Sequence, residues 1–132
     1  MLPELGSKQR AEFYQWLFYL TSTLQPELMM YFYPQRHSTL DSDTQAIQAT
    51  QQQRIVQMFA FIDNALKGKT YLLGEQLCVC DLFLFMLAHW ADDFAQPPLS
   101  FPHLKPYLQR IAARDAVRKV CNIEGTDLAA YR

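Results

Sequence analysis

Apolar residues recur at helical spacing along most of this 132-residue chain, and this pattern limits its possible folds more than any other feature. Between Phe13 and Leu24 they stand at i, i+3, i+4, i+7 and i+11, so they share one face of a helix. The same spacing recurs from Ile55 to Leu66 and from Leu104 to Ile111. No stretch of useful length alternates apolar and polar residues as a half-buried strand does. The sequence predicts an all-α bundle of about five helices without a sheet.

Proline, glycine and polar residues indicate where the first two helices begin and end. We expect Pro26 to end or kink the first helix, because it has no amide donor and its ring clashes with the preceding turn. Ser42 and Gln45 have the spacing of a capping box and predict the start of the second helix. Gly68 is a plausible C-terminal stop for that helix.

The remaining helices are predicted from shorter apolar patterns. The third is expected from Val79 to about Phe94 and is apolar almost all round, which is typical of a central helix buried on several sides. A fourth follows Pro102, and a short fifth is expected near 116–122. The polar run 51–54 is expected to be a solvated helix face.

Composition excludes several classes of protein. Half of the residues are hydrophobic, which excludes a disordered tail, and the length suits one domain over residues 1–132. The formal net charge of −1 provides no basic surface for nucleic acid. No run reaches the roughly 18 apolar residues that a membrane span requires. Three cysteines without an export signal indicate free thiols in the cytoplasm.

Two cysteines one residue apart, followed by an acid, raise the possibility of a metal or redox site. Zinc sites usually space paired cysteines as C-x₂₋₄-C and add a second pair, and the other His and Cys residues form no such pair. We therefore predict no metal site. A redox pair requires an exposed thiol of low pKa, and Cys80 lies in an apolar helix.

A capping box explains this segment better. If Val79 starts the central helix, Cys78 is its N-cap and Asp81 its third residue. Leu77 and Leu82 then have the spacing of a hydrophobic staple. Because sulfur is a weak acceptor, Asp81 is expected to carry most of the box, and Cys78→Ser or Cys78→Thr is predicted to strengthen it.

Four segments, in order, resemble the C-terminal domain of glutathione transferases. They read RAEFYQWLFYLTSTLQP, GEQLCVCDLFLF, FPHLKPYLQRIAARDAVRKV and EGTDLAAYR, and the last suits the bacterial beta class. In the second segment Cys78 and Cys80 replace the Ser/Thr and the Ala of the family's Ser/Thr-x-Ala-Asp unit. In the third, Asp115 replaces a proline. The resemblance implies the family's helical domain over nearly the whole chain.

The resemblance also implies an absence. The family's catalytic residue and most of its glutathione-binding groups lie in an N-terminal thioredoxin-like domain, and no strand pattern precedes Ser7 here. We therefore assign no catalytic residue and expect the chain alone to have no cofactor and no conjugating activity. Glutathione is the expected co-substrate when that domain is present. The expected partners are the N-terminal domain, a second copy of the chain in a homodimer, and a small apolar substrate.

Matched position by position, the family's second-substrate pocket falls on Gln25, Leu28, Phe83, Met86 and Trp90. Aromatic residues on an apolar helix are more often plain core than pocket lining, so that alternative stays open.

Two family polar groups have no counterpart here. An Asn that reaches glutathione across the dimer falls at Phe18, and a His near the sulfur falls at Gln25. His89 stands where the family often has Arg. The missing catalytic half and the residues at Phe18 and Gln25 favour a second class, a non-enzymatic interaction module of the same fold. A third alternative is an unrelated helical bundle with a small-ligand pocket.

Overall fold

The computed structural model describes all 132 residues and consists of helices, turns and loops. Six α-helices follow one another: α1 (Lys8–Tyr19), α2 (Gln25–Phe32), α3 (Thr44–Ala65), α4 (Val79–His89), α5 (Leu104–Ala112) and α6 (Asp115–Glu124). The only β-type pairing is an isolated bridge between Tyr71 and Gly74. Since α1 and α2 form one continuous rod, the bundle has five rods, and the predicted all-α fold without a sheet is confirmed. None of the helices combines the length and apolar character needed to cross a membrane.

The first rod continues through Pro26 because it contains a π-helical turn. This turn, Leu20–Leu24, joins α1 to α2, and the amide of Gln25 donates to the carbonyl of Leu20 five residues earlier. Pro26 stands in the first turn of α2, where its missing donor costs least. The wider turn makes room for the proline ring, so the helix neither ends there nor breaks into two separate rods.

Two predicted helix boundaries are wrong. α3 begins at Thr44 after a 3₁₀ turn rather than at Ser42, and the hydroxyl of Ser38 donates to the Asp43 carboxylate at 2.5 Å. α4 ends at His89 rather than near Phe94, and turns follow it. In these turns the carboxylate of Asp92 is bonded to the side chains of His89 and Tyr131. Such side-chain hydrogen bonds of Asp compete with helix formation.

The core forms where α4 packs among the other rods. Large side chains without exposed surface come from every rod except α6: Leu20, Leu24, Leu28, Ile55, Phe59, Ile62, Leu84, Leu87, Leu104, Tyr107 and Leu108. Each apolar side chain of this size contributes about 1.5–3 kcal/mol when fully buried. These side chains belong to one common cluster, which packs α4 against the other rods.

The polar run on α3 is a solvated face except at Gln51, which is buried, so that prediction is wrong for this one residue. Gln51 is only 4% exposed, and its side-chain amide donates to the carboxylate of Glu27 on α2. Arg54 Nη2 donates to the other oxygen of Glu27 at 2.6 Å. The helical periodicity of α3 could not reveal this contact, because the acceptor lies on another helix.

The replacement Glu27→Gln is expected to reduce the loss of stability at acid pH. The hydrogen bond from Arg54 holds the pKa of Glu27 below its ordinary value of 4.5. A carboxylate with a lowered pKa stabilises the fold above the unfolded-state pKa, and that stabilisation is lost as pH falls through the folded-state value. Urea denaturation at several pH values below 4.5 should show a shallower decline for Glu27→Gln than for the unaltered chain. Identical slopes would contradict this, and the exposed Glu4→Gln is the matched control.

Candidate functional site

The start of α4 is fixed by a capping box. Cys78 is the N-cap, and both arms of the box are present. The Cys78 amide donates to Asp81 Oδ2 at 2.7 Å. Leu77 and Leu82 both line one groove beside this helix start, as residues of a hydrophobic staple would. The box therefore determines where the central helix begins.

Asp81 also ties together parts of the chain that are distant in sequence. It has no exposed surface, and its Oδ1 accepts from the Leu72 amide at 2.9 Å and from the Tyr107 hydroxyl at 2.8 Å. Burial and the neighbouring carboxylate raise the pKa of Tyr107 well above its ordinary value, so this hydroxyl stays protonated as a donor. The sequence reasoning missed Leu72 and Tyr107, because no local spacing links them to Asp81.

The cysteines of the box are buried free thiols. The hydrogen bond with Cys80, burial and the charge of Asp81 raise the pKa of Cys78. Cys80 Sγ lies 3.7 Å from the Phe13 carbonyl oxygen. Cys78, a buried thiol with a raised pKa, is a poor nucleophile. The hydrogen bond with Cys78 lowers the pKa of Cys80, but that thiol has no exposed surface from which it could react. No group of three or more His, Cys, Asp or Glu side chains lies close enough together to hold a metal ion.

The five residues predicted to line a substrate pocket have different environments. Leu28 has no exposed surface and belongs to the core, so it can support a pocket only from behind. Gln25, Phe83 and Trp90 are half-buried, and Met86 is 39% exposed. Phe83, Met86 and Trp90 stand at i, i+3 and i+7, so they follow one side of α4. We call these three residues the apolar stripe.

A groove of about 400 Å³ lies beside the stripe, between α4 and α6. Its apolar walls are built from Leu82, Phe85 and Met86 of α4 and from Val117, Val120 and Cys121 of α6. We call it the α4–α6 groove. Met86 belongs both to the stripe and to the groove, whereas Phe83 and Trp90 do not line the groove.

Three hydrogen-bonded side chains, His89, Asp92 and Tyr131, connect the end of α4 to this groove. We call them the polar relay. His89, which lines the groove, has Nδ1 2.6 Å from Asp92 Oδ2. The Tyr131 hydroxyl donates to Asp92 Oδ1 at 2.6 Å. Burial and this hydrogen bond raise the pKa of Tyr131, so it stays a donor. The sequence reasoning noted His89 but not its two partners, because the relay spans 39 residues from Asp92 to Tyr131.

Comparison with known proteins gives consistent matches. Residues 15–115 match the glutathione S-transferase C-terminal domain. The chain is 23% identical over 126 residues to the glutathione S-transferase GstA of Escherichia coli O157:H7, covering 95% of this chain and 59% of that protein. The bacterial glutathione transferase BphK superposes with a TM-score of 0.79 at 26% identity, covering 94% of this chain and 58% of BphK. A sphingomonad glutathione S-transferase complexed with glutathione gives 0.80 at 25% identity, covering 96% and 59%.

The chain belongs to the glutathione S-transferase family, of which it carries the C-terminal domain. It spans less than two thirds of the length of each of these relatives. Its assignment to the beta class stays a prediction.

Proposed function

We propose that this chain holds the apolar second substrate in a glutathione-conjugating enzyme, and that an N-terminal thioredoxin-like domain completes the active site. The observation that carries the proposal is the family match over residues 15–115 together with the apolar stripe, which the bundle leaves partly uncovered. Apolar surface of this kind, next to a groove, is typical of ligand sites and of surfaces that contact another domain.

The stripe would hold the substrate by removing apolar area from water, which contributes about 25 cal/mol per Å². Phe83 and Trp90 offer flat aromatic faces, and Met86 adds an adaptable thioether. Gln25 would add one polar group from the start of α2, and Leu28 would support the wall from the core.

The chemistry would come from the N-terminal domain. A glutathione thiolate, activated there, attacks the electrophile and forms a covalent conjugate. Support comes from the sphingomonad relative, which was solved with glutathione and of which this chain matches 59%. We place the complete protein in the cytoplasm as a homodimer, and the three free thiols are consistent with that compartment.

The isolated chain is expected to have no conjugating activity, because its own cysteines are buried and the proposal places the groups that activate glutathione in the N-terminal domain. Its rate with glutathione and chlorodinitrobenzene should equal the uncatalysed rate at every protein concentration. A rate that rises in proportion to the protein concentration would contradict the proposal.

A second candidate is a non-enzymatic interaction module of the same fold. The observation that favours it is Phe18, which is 65% exposed and stands where the family has an Asn that reaches glutathione. A large exposed aromatic side chain is more typical of a protein contact than of a glutathione site. Sedimentation of the unaltered chain and of Phe18→Asn tests this candidate. The module is favoured if the chain forms a stable assembly that Phe18→Asn disrupts. It also requires that the chain joined to an N-terminal domain shows no turnover.

A further inference from the structure

The α4–α6 groove contains one polar side chain whose orientation is fixed by partners outside the groove. His89 contributes the only imidazole to the walls, and its Nδ1 is held by Asp92 at 2.6 Å. Asp92 is itself held by the Tyr131 hydroxyl, and the Tyr131 ring packs against Phe85 with 5.2 Å between ring centroids. The ring of His89 is therefore positioned rather than free to rotate.

This arrangement decides which nitrogen of His89 is available. A carboxylate at Nδ1 accepts a hydrogen bond, so in the neutral ring Nδ1 carries the proton and Nε2 has the lone pair. Nε2 forms no hydrogen bond within the chain, and the His89 side chain is 33% exposed. Nε2 is therefore a hydrogen-bond acceptor without a protein partner, on a ring that lines the apolar groove.

The walls determine what kind of molecule could supply that donor. Leu82, Phe85, Val117 and Val120 favour an apolar body, and a groove of about 400 Å³ accommodates one or two aromatic rings. The two charged residues that also line the groove, Arg114 and Glu124, are exposed and opposite in sign, so they favour neither an anion nor a cation strongly.

We propose that the α4–α6 groove binds a small aromatic molecule with one hydroxyl group, a phenol, whose O–H donates to His89 Nε2. The apolar walls hold the ring, and the histidine selects the hydroxyl. The site uses only residues of this chain and shares only Met86 with the apolar stripe, so it can be tested without the N-terminal domain that the function proposed above requires.

Two probes of nearly the same shape test the proposal on the isolated chain. para-Cresol has the hydroxyl and keeps its proton at neutral pH, whereas in para-methylanisole a methyl group replaces the hydroxyl hydrogen. Equilibrium dialysis is expected to show saturable binding of both probes, with the phenol bound about tenfold more tightly, as one hydrogen bond to an oriented acceptor allows. Equal affinity for the two probes, or saturable binding of neither, overturns the proposal.

Substitutions assign the preference to His89. His89→Phe keeps a flat ring and removes the acceptor, so the two probes are expected to bind with equal affinity. Asp92→Asn is expected to reduce the preference, because an amide orients the imidazole less strongly than a carboxylate does. The matched control His37→Phe, at an exposed position outside the groove, should retain the full preference. A preference that survives His89→Phe overturns the assignment, and circular dichroism checks that each variant is folded.

Discussion

Replacing Asp81 by alanine is expected to lower the free energy of unfolding by at least about 3 kcal/mol, because three buried donors lose their acceptor together. These donors are the Leu72 amide, the Cys78 amide and the Tyr107 hydroxyl. A buried donor without a partner costs about 1–3 kcal/mol, and Asp81 lies in the interior with no exposed surface. This loss exceeds that of a surface cap, for which about 1 kcal/mol is usual.

Urea denaturation followed by far-ultraviolet circular dichroism measures this loss. Tyr107→Phe is the matched control, because it removes one donor and leaves the two amides bonded, and it should cost about 1 kcal/mol. Cys78→Ser, which gives the cap a better acceptor, should gain up to about 1 kcal/mol. If Asp81→Ala costs no more than Tyr107→Phe, the carboxylate does not hold the three segments together.

The fold was predictable because helical periodicity is a local property of the sequence. The apolar spacing from Phe13 to Leu24 identifies the buried face of the first rod without any knowledge of what packs against it. The start of α4 was equally local, since Cys78 and Asp81 are three residues apart. The exact ends of the helices were not predictable from local spacing. The π-helical turn before Pro26, for example, depends on how the first rod accommodates the proline ring.

Long-range polar contacts were not predictable, because packing and not spacing brings their partners together. In the sequence, Gln51 belongs to a polar run that resembles a solvated face. It is buried only because α2 packs against α3 and Glu27 accepts its hydrogen bond. No sequence pattern connects Asp92 with Tyr131. Their hydrogen bond forms because the C-terminal segment lies beside the end of α4. Local patterns therefore describe the helices, whereas the polar relay becomes visible only in the folded chain.

The candidate substrate residues came from family resemblance and not from periodicity, and the structure places them unequally. Leu28 belongs to the core, while Phe83, Met86 and Trp90 share a partly exposed side of α4. Sequence alone could not make this distinction, because buried and exposed apolar residues look alike on a helix that is apolar almost all round. The role of the stripe in substrate binding remains a prediction that needs the complete active site.

Truncating the stripe in a complete, two-domain protein is expected to weaken binding of the apolar electrophile and to leave binding of glutathione unchanged. The complete protein can be made by joining the chain to the N-terminal part of the sphingomonad relative, which was solved with glutathione. Removing a large aromatic side chain from a contact with an apolar substrate costs about 1–3 kcal/mol, or about tenfold or more in KM when the loss falls on binding. Phe61→Ala, an exposed aromatic on α3, is the matched control.

The most direct measurement is the pair of KM values of this two-domain protein for chlorodinitrobenzene and for glutathione, with and without Phe83→Ala and Trp90→Ala. We expect conjugation only in the joined protein, with KM for the electrophile raised about tenfold by either substitution and KM for glutathione unchanged. A joined protein that is folded but inactive, or one whose KM for the electrophile does not respond to either substitution, would contradict the assignment of this chain as the apolar-substrate half.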